Sequence, residues 1–502
     1  MDCGVIEPAL LEGIEVLVNP TAVLIDERPC CLEFFFDAMY DRRQVQPHEL
    51  ERSLEEAGGP IGGHEMVDEL VLQLICPDCR SAALGTSLVC IRAPVVPVLA
   101  DLHAATGDEA AVVVAAPAGA GKSYLVESTV DQLRPHQRVV VAAPTNEQAF
   151  DLTRRISDRL ASSQPGEHVF HLHKQKLVPP PDVVARPNVT CLNSGLPSTA
   201  GIVVGTIDKL ADAFLRGNVD PRDVLVIDEA YQASASHYLR IGGVAPTHLL
   251  VGDPGQIDPF STISDGDHWR GLPEDPVQTA VSVLLRNHPG TMRHRLPITR
   301  RLAPSAAATA AAFYPGHEFG PAVRDGVRQF ALPAAGRRRS ATDRVIDQAA
   351  QSGWGYLELP AGVCLAADPQ LIDATVGVVE RILDRRPTIS CERFRAGELR
   401  DDRVAVAVSH RDQVSCTRGA LDALGLTDVV VDTANRLQGL EFDFVVAIHP
   451  LAGLAEADPF HLDPGRLCVM LTRHRHACVV IGRSSDEELL GGVAPATPAY
   501  LG

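Results

Sequence analysis

Two series of short apolar runs, rich in Val and Ala, punctuate this chain, and stretches compatible with helices separate them. Parallel strands that are covered by helices on both faces have this continuous apolar character. The alternation therefore predicts an α/β fold with two parallel sheets, each packed between helices. The first series of predicted strands lies at 111–115, 138–142, 202–205, 224–228 and 248–252, and the second lies at 404–408, 428–431, 444–448 and 478–482.

The remaining segments carry weaker patterns. Residues 368–386 predict an amphipathic helix inside the second sheet domain, whereas residues 320–355 show little periodicity and predict a loop or an insertion. A Pro- and Arg-rich stretch at 285–300 predicts the join between the two sheet domains. The predicted domains are an N-terminal domain of unknown role at 1–95, two sheet domains at 96–290 and 291–485, and a flexible tail at 486–502.

A glycine-rich turn joins the first apolar run to a helical stretch, in the sequence AVVVAAPAGAGKS at 111–123. This strand–loop–helix context is that of a phosphate-binding loop, or P-loop. Glycines let its backbone N–H groups turn toward a β-phosphate, the lysine lies between the β- and γ-phosphates, and the serine hydroxyl binds Mg²⁺. Ala116 departs from the pattern, because it replaces the first glycine. The candidate nucleotide-binding residues are Pro117, Ala118, Gly119, Ala120, Gly121, Lys122 and Ser123.

Two further strand ends carry candidate chemistry. The run VLVIDEA at 224–230 ends in Asp228, which could bind Mg²⁺ through water, and Glu229, which could orient or deprotonate an attacking water. The run LLVGDPGQ at 249–256 places Gln256 where it could sense a γ-phosphate; a solvated loop amide is the alternative.

Nine blocks of the chain occur in a fixed order. They are APTNEQAFDL (143–152), VVGT (203–206), DEAYQ (228–232), GDPGQIDP (252–259), TRRLAP (299–304), FYPG (313–316), VSHRDQ (408–413), DTANRLQGLEFDFVV (432–446) and RLCVMLTRHRHACVVIG (466–482). With the P-loop they resemble the motif series of superfamily 1 helicases, most closely the branch that contains the nonsense-mediated-decay RNA helicase and related DNA helicases. The resemblance covers roughly residues 111–482.

The resemblance implies two RecA-like P-loop NTPase domains with parallel sheets, plus a small N-terminal domain, and ATP between the two sheet domains. It implies that Arg301 and Arg473 arrive from the second domain and stabilise charge on the γ-phosphoryl group. It also assigns Glu441 to the nucleotide site. The residues that it implies in contact with the nucleic-acid backbone are Thr145, Asn146, Thr206, Thr433 and Gln438.

Three departures from the family pattern change the expectations. The block before the P-loop has no L-N-x-x-Q motif for reading adenine, so both ATP and GTP stay open as substrates. Arg300 stands where the family usually has Tyr. The insertion at 151–201 is short, which leaves little room for a large accessory subdomain.

Composition narrows the class of protein. A formal net charge of −19 argues against a general polyanion binder, although basic residues cluster at 286–301, 336–339 and 472–476. The first two clusters could contact nucleic acid; solvated surface charge together with the arginine fingers is the alternative. Aromatic residues make up 5% of the chain, which is few for a base-stacking channel. The chain has no apolar run of roughly 18 residues and no signal-peptide layout at its start, so we expect a cytoplasmic protein without a membrane span.

The 12 cysteines are scattered, as expected for reduced thiols. Cys76, Cys79 and Cys90 nevertheless have half of a zinc-ribbon spacing, and a fourth ligand would have to come from Cys30, Cys31 or His64. Structurally idle thiols are the alternative.

These observations predict an ATP-dependent nucleic-acid translocase or helicase that uses ATP, Mg²⁺ and single-stranded DNA or RNA. The alternative is an NTP-hydrolysing switch that signals to a protein partner through the N-terminal domain without unwinding. The few aromatic residues and the acidic charge favour the switch, and the backbone-contact motifs favour the motor. Stimulation of the ATPase by single strands would discriminate between them.

Overall fold

The computed structural model describes residues 95–105, 110–257, 278–335, 339–364, 367–392 and 394–491, together with 24–25, 28–29 and positions 259, 272 and 275. The chain divides between His103 and Ala104 into two units. In the first unit the described elements are the antiparallel strands β1 (Leu24–Ile25) and β2 (Arg28–Pro29) and most of helix α1 (Val95–Ala104). Cys76, Cys79 and Cys90 lie outside the described residues, so the zinc prediction stays untested.

An eight-stranded sheet, parallel throughout, forms the first half of the larger unit. Its strand order is β10-β3-β9-β8-β4-β7-β5-β6, which places β9 between β3 and β8. The strands are β3 (Ala111–Ala115), β4 (Val139–Ala143), β5 (Val169–Leu172), β6 (Val189–Leu192), β7 (Ile202–Thr206), β8 (Val224–Ile227), β9 (Thr247–Gly252) and β10 (Met292–Arg295).

Helices cover this sheet and explain why its central strands are continuous apolar runs. All residues of β4, β7 and β8 are buried, and their Val, Ile and Leu side chains pack into a cluster with apolar residues of the helices. The helices are α2 (Lys122–Leu133), α3 (Asn146–Ser163), α4 (Pro181–Val184), α5 (Ile207–Leu215), α6 (Ala235–Ile241) and α7 (Ala280–Asn287).

A second, five-stranded parallel sheet has the order β14-β20-β19-β17-β18. Two apolar clusters, one containing Val404, Val406 and Val408 and the other Ala405 and Ala407, cover its opposite faces. The strands are β14 (Trp354–Leu359), β17 (Val404–Val408), β18 (Val430–Thr433), β19 (Phe442–Ile448) and β20 (His474–Arg483). The helices are α8 (Pro304–Ala310), α9 (Ala341–Ser352), α10 (Pro369–Asp384), α11 (Arg411–Ala423), α12 (Ala434–Leu437), α13 (Pro464–Leu471) and α14 (Asp486–Gly491).

Small elements complete the described part of the chain. Strands β11 (Ile298–Thr299) and β12 (Gly320–Pro321) pair in parallel. Strands β13 (Gln329–Ala331), β15 (Thr388–Cys391) and β16 (Phe394–Glu398) form an antiparallel sheet. Short 3-10 helices lie at Gly242–Val244, Ala311–Phe313 and Asp401–Arg403.

The predicted fold class is confirmed, and the differences concern segments with little apolar character. The segment 320–355 is not a loop, because it contains β12, β13 and α9 and the start of β14. The stretch 151–201 contributes β5 and β6, and β10 extends the first sheet to Arg295, past the boundary predicted after residue 290. The tail predicted from residue 486 begins with a helix, α14. No helix in the described part is long and apolar enough to cross a membrane.

Candidate active site

The P-loop follows β3 and leads into α2. Positive φ values occur at Gly119 (+76°) and at Gly121 (+93°), which is the N-cap of α2. Both positions therefore require a residue without a Cβ atom. The requirement is steric as well at Gly119, because a Cβ atom there would lie 2.6 Å from the Cβ of Arg301. The loop thus presents backbone N–H groups at a helix N-terminus, as a phosphate site needs.

The structure explains why Ala116 can replace the first glycine of the motif. Ala116 is fully buried, and positive φ does not occur there. Its N–H donates to the carbonyl oxygen of Gly252 (2.7 Å), and its own carbonyl oxygen accepts from Lys122 Nζ (3.3 Å). An alanine methyl therefore costs no backbone strain at this position.

Lys122 lies between two carboxylates that come from different strand ends. Its Nζ is 3.7 Å from Glu229 Oε1 and 3.5 Å from Asp253 Oδ2. Asp253 follows β9, which separates the P-loop strand from the strand that leads to Glu229. The sheet order therefore places the lysine and both carboxylates at one edge, where the carboxyl ends of the parallel strands meet.

Asp228 and Glu229 follow β8 and are 6% and 7% exposed. Glu229 has a positive φ of 54°, which is unusual for a residue with a side chain and costs about 1–3 kcal/mol. Burial, followed by the charge on Glu229, raises the pKa of Asp228 to about 7. Burial also raises the pKa of Glu229, against the opposing charges of Lys122, Arg473 and Arg301. A buried carboxylate with a raised pKa can accept a proton from water.

Gln256, also buried, belongs to a chain of side-chain amides. Its Nε2 donates to Asp253 Oδ2 (2.6 Å), and its Oε1 accepts from Gln232 Nε2 (3.4 Å). Gln232 Oε1 in turn accepts from Gln148 Nε2 (3.4 Å), and Gln148 Oε1 accepts from the N–H (3.1 Å) and hydroxyl (3.0 Å) of Thr145. Sequence reasoning missed Gln148 and Gln232, because their roles arise from contacts between separate strand ends.

Arg301 lies against the P-loop. The N–H of its neighbour Arg300 donates to the carbonyl oxygen of Gly119 (2.8 Å). The side chain of Arg301 is buried, with Nε 3.4 Å from Glu441 Oε1 and Nη1 donating to the carbonyl oxygen of Thr472 (3.1 Å). The segment of Arg301 thus contacts the P-loop directly, and the role of Arg301 at the γ-phosphate stays a prediction.

Arg473 follows α13 and is 1% exposed. Its Nε donates to the carbonyl oxygen of Val469 (3.0 Å), and its Nη2 donates to the hydroxyl of Thr472 (3.0 Å). Burial, followed by repulsion from Arg301, lowers its pKa to about 10. The charges of Arg473 and Arg301 are among those that oppose the rise in the pKa of Glu229. Their role at the γ-phosphate stays a prediction.

Glu441 holds arginines from two segments. Its Oε2 accepts from Arg475 Nε (2.9 Å), while its Oε1 faces Arg301. The structure therefore brings Glu441 to Arg301, one of the two arginines that were assigned to the γ-phosphate. Its assignment to the nucleotide site stays a prediction.

Tyr314 joins three parts of the site, a role that sequence reasoning missed. Its hydroxyl accepts from the Ala118 N–H (3.0 Å) and lies 3.3 Å from Asp253 Oδ2 and 3.4 Å from Cys468 Sγ. Burial raises its pKa well above the usual value, so it stays a neutral phenol. The P-loop, the loop after β9 and helix α13 therefore meet at one hydroxyl group.

Helix α13 also packs directly on the loop after β9. A Cβ atom at Gly465 would lie 2.5 Å from the carbonyl carbon of Gln256. Ala118, Leu302, Leu467 and Cys468 share one apolar cluster. The two sheet domains therefore contact each other through the residues that form the nucleotide site.

Comparison with family models finds matches in both sheet domains. Two family models, each described as an AAA domain, match residues 100–295 and 372–485, which together are more than half of the chain. The chain belongs to the AAA-domain family of P-loop proteins. A search of curated proteins found no match.

Solved helicase structures are similar at low identity. The PRRSV helicase is 15% identical, with 76% of this chain and 54% of that chain covered and a TM-score of 0.38. Arterivirus nonstructural protein 10 (helicase), in complex with DNA, is 14% identical, with 77% and 64% covered and a TM-score of 0.40. S. cerevisiae Dbp5, bound to RNA and ADP BeF3, is 13% identical, with 82% and 87% covered and a TM-score of 0.45. This chain thus spans about half to two thirds of the length of the two viral helicases.

Two of the candidate nucleic-acid contacts follow the carboxyl ends of strands in the first sheet. Thr206 ends β7 and pairs in register with Ala143, two residues before Thr145, so the two threonines lie at the same edge of the first sheet. Thr145 is exposed, whereas Thr206 is buried and its hydroxyl caps α5 by accepting from the Lys209 N–H (3.3 Å).

The other three candidates lie at helix ends. Asn146 is the first residue of α3, in the first sheet domain, whereas Thr433 and Gln438 flank α12 in the second domain. All three residues are partly exposed. None of these roles is tested by the comparisons, and they stay predictions.

The oxygen donors of the site suit a magnesium ion. Ser123 lies in the first turn of α2, and Asp228 follows the strand two positions away in the sheet. A hydroxyl and a carboxylate are the ligands that Mg²⁺ takes beside nucleotide phosphates. Among the described residues there is no cluster of three or more His, Cys, Asp or Glu side chains that could hold a metal ion on its own.

Proposed function

We propose that this protein is an ATP-driven nucleic-acid translocase or helicase that hydrolyses ATP between its two sheet domains. One arrangement carries the proposal: Arg301 lies against the P-loop at Gly119, Arg301 and Arg473 both donate to Thr472, and Lys122 lies 3.7 Å from Glu229. A γ-phosphate at this place would be surrounded by a lysine, two arginines and a base for the attacking water, which is the constellation that phosphoryl transfer needs.

The P-loop would bind the nucleotide phosphates. The turn around Gly119 and Gly121 leads into the N-terminus of α2, where backbone N–H groups and the helix dipole attract a phosphate, and both glycines have the positive φ that this turn requires. Lys122 would move from its two carboxylates to the β- and γ-phosphates. Ser123 and Asp228 would hold Mg²⁺, and the bound ion would neutralise phosphate charge.

Glu229 would orient the attacking water and take its proton. Its burial favours the protonated form, which makes its carboxylate a stronger base than an exposed glutamate. Gln256 donates to Asp253, whose carboxylate shares Lys122 with Glu229. This position supports the role of Gln256 as a γ-phosphate sensor. Arg301 and Arg473 would stabilise the charge that spreads over the equatorial oxygens in the transition state.

The amide chain supports coupling between ATP and nucleic acid. It runs from the exposed Thr145 through Gln148 and Gln232 to Gln256, all by side-chain hydrogen bonds. A nucleic-acid strand that binds at Thr145 would change the position of Gln148 and thereby of Gln256. Single-stranded DNA and single-stranded RNA both satisfy these backbone contacts, since a phosphate backbone is common to them.

The decisive experiment measures ATP turnover with and without single-stranded DNA or RNA, in the wild type and in Arg301→Ala. We expect single strands to raise the wild-type rate. Arg301→Ala should lower turnover by about 10³-fold or more, weaken ATP binding far less and remove the stimulation. Arg216→Ala is the matched control, because Arg216 is exposed at the end of α5 and pairs only locally with Asp212.

Other outcomes have definite meanings. A wild-type rate that no strand raises would reject the motor and leave the NTP-driven switch, with Arg301 still needed for basal turnover. Unchanged turnover in Arg301→Ala would reject the assignment of this arginine. The choice between ATP and GTP stays open and can be measured by comparing their turnover. A protein partner for residues 1–95 and a cytoplasmic location also stay predictions.

A further inference from the structure

A buried arginine outside all the sequence motifs contacts the segments of both candidate arginine fingers. Arg328 precedes β13, in the segment that showed no sequence pattern, and its side chain is 3% exposed. Its guanidinium forms a two-pronged ion pair with Glu392, with Nε 2.9 Å from Oε2 and Nη2 2.6 Å from Oε1. Such a pair fixes both the position and the plane of the guanidinium.

The same guanidinium donates to three backbone carbonyl groups. Two of them belong to Arg300 and Arg301, in the segment that lies on the P-loop. The third belongs to Arg475, at 3.3 Å, two residues after Arg473 and at the start of β20. Arg328 therefore bridges the backbones of the two segments that carry the candidate arginine fingers.

The arrangement suits positioning and not chemistry. Arg328 uses its donors on Glu392 and on carbonyl oxygens, and it has no contact with Lys122, Glu229 or Asp253. Arginine is the residue for this task, since a planar fork with five donors can serve a carboxylate and several carbonyls at once. A lysine at the same place has one nitrogen and cannot span them.

We propose that Arg328, oriented by Glu392, is the positioning residue that sets Arg301 and Arg473 against the γ-phosphate. This inference rests on the proposed function, because it presumes that these two arginines act in hydrolysis. The physical reason is geometric: transition-state stabilisation by a cation falls steeply when its supporting backbone moves by a fraction of an ångström.

The test is steady-state ATP hydrolysis by the full chain carrying Arg328→Lys. This change keeps the positive charge beside Glu392 and removes the fork. We expect kcat to fall by about 10-fold to 100-fold, while KM for ATP changes by less than about threefold. Glu392→Gln is a second, milder variant that leaves Arg328 in place but loosens it, and it should lower kcat in the same direction.

A matched control separates positioning from general stability. Arg483→Lys removes an equally buried fork, 4% exposed, which pairs with Asp368 and donates to the Pro360 carbonyl in the same domain. We expect it to lower the unfolding temperature as Arg328→Lys does and to leave kcat unchanged. Equal loss of kcat in both variants would overturn the proposal.

A double-mutant cycle gives the sharpest readout. In the Arg301→Ala background, Arg328→Lys should lower kcat by a clearly smaller factor than in the wild type, because one of its two targets is gone. The same factor in both backgrounds would overturn the positioning role. If Arg301→Ala and Arg473→Ala leave turnover unchanged, the proposed function fails; if they abolish it while Arg328→Lys does not affect it, only this inference fails.

Discussion

Tyr314→Phe is a direct test of how the P-loop is held. The change keeps the ring, which packs against Phe319 with 4.8 Å between centroids, and removes the hydroxyl that joins Ala118 to Asp253. Tyr314 is 3% exposed, so water has little access to replace the lost group. The variant therefore leaves a backbone N–H of the P-loop without its acceptor.

The magnitude follows from what remains in place. Asp253 keeps the Gln256 amide (2.6 Å) and the Gly255 N–H (3.0 Å), so its loss is small. The Ala118 N–H is fully buried and loses its acceptor, which costs about 1–3 kcal/mol. We expect the free energy of unfolding to fall by that amount. A loosened P-loop should also raise KM for ATP by about threefold to tenfold, with little change in kcat, because the hydroxyl touches no reacting atom.

The assay combines calorimetry or denaturant unfolding with ATPase kinetics. Tyr238→Phe is the matched control, since Tyr238 is also buried and its hydroxyl lies 2.6 Å from His248 Nδ1, on α6 away from the P-loop. It should lose similar stability without a change in KM. The reasoning is refuted if Tyr314→Phe is as stable as the wild type, or if both variants raise KM equally.

Four further predictions concern single sites. Lys122→Ala should abolish hydrolysis while circular dichroism shows a retained fold, and near-normal turnover would contradict the P-loop assignment. Glu229→Gln should still bind ATP, with turnover lower by about 10²–10⁴ in single-turnover assays; loss of binding with an unchanged rate per site would contradict the role of base. Zinc analysis of the purified full chain should give about one zinc per chain, lost in Cys76→Ser, if the cysteine spacing marks a metal site; zinc-free folded protein would favour idle thiols. Burial lowers the pKa of His171 and of His474 from 6.5 to about 3, so the unfolded state binds more protons at these two groups below about pH 6.5, and their contribution to the free energy of unfolding should fall as pH falls from there toward 3, opposite in sign to that of Asp228; the same pH dependence in denaturant titrations of the wild type and of His171→Gln would contradict it.

The sequence predicted the parts of the fold that carry their own local signal. Strands β3, β8 and β9 are runs of buried Val, Leu and Ile, so their periodicity could be recognised without a structure. The P-loop was recognisable because its turn requires positive φ at two positions, and this requirement selects glycine in the local sequence. The helix expected at 368–386 is α10, Pro369–Asp384, as its apolar spacing indicated.

Other elements carry signals that sequence periodicity does not contain. Strand β10 reads MRHR and is largely exposed at the sheet edge, so it lacks the apolar run that marks a buried strand. Segment 320–355 holds short elements, and its important residue, Arg328, acts through three backbone carbonyls that could not be read from spacing. The hydroxyl of Tyr314 likewise acquires its role only when α13 and the P-loop meet.

These long-range contacts change how the arginine fingers should be understood. Arg301 lies where three segments meet: the P-loop at Gly119, the carbonyl of Thr472 and the carboxylate of Glu441. Two of these segments belong to the second sheet domain and one to the first. Under the proposed function, a shift of either domain would therefore move Arg301 relative to Glu229, and the rate of hydrolysis would depend on the arrangement of both domains. A nucleic-acid strand bound across the two domains would then control hydrolysis through local contacts. The net charge of −19 does not oppose such contacts, because phosphate binding depends on the local charge.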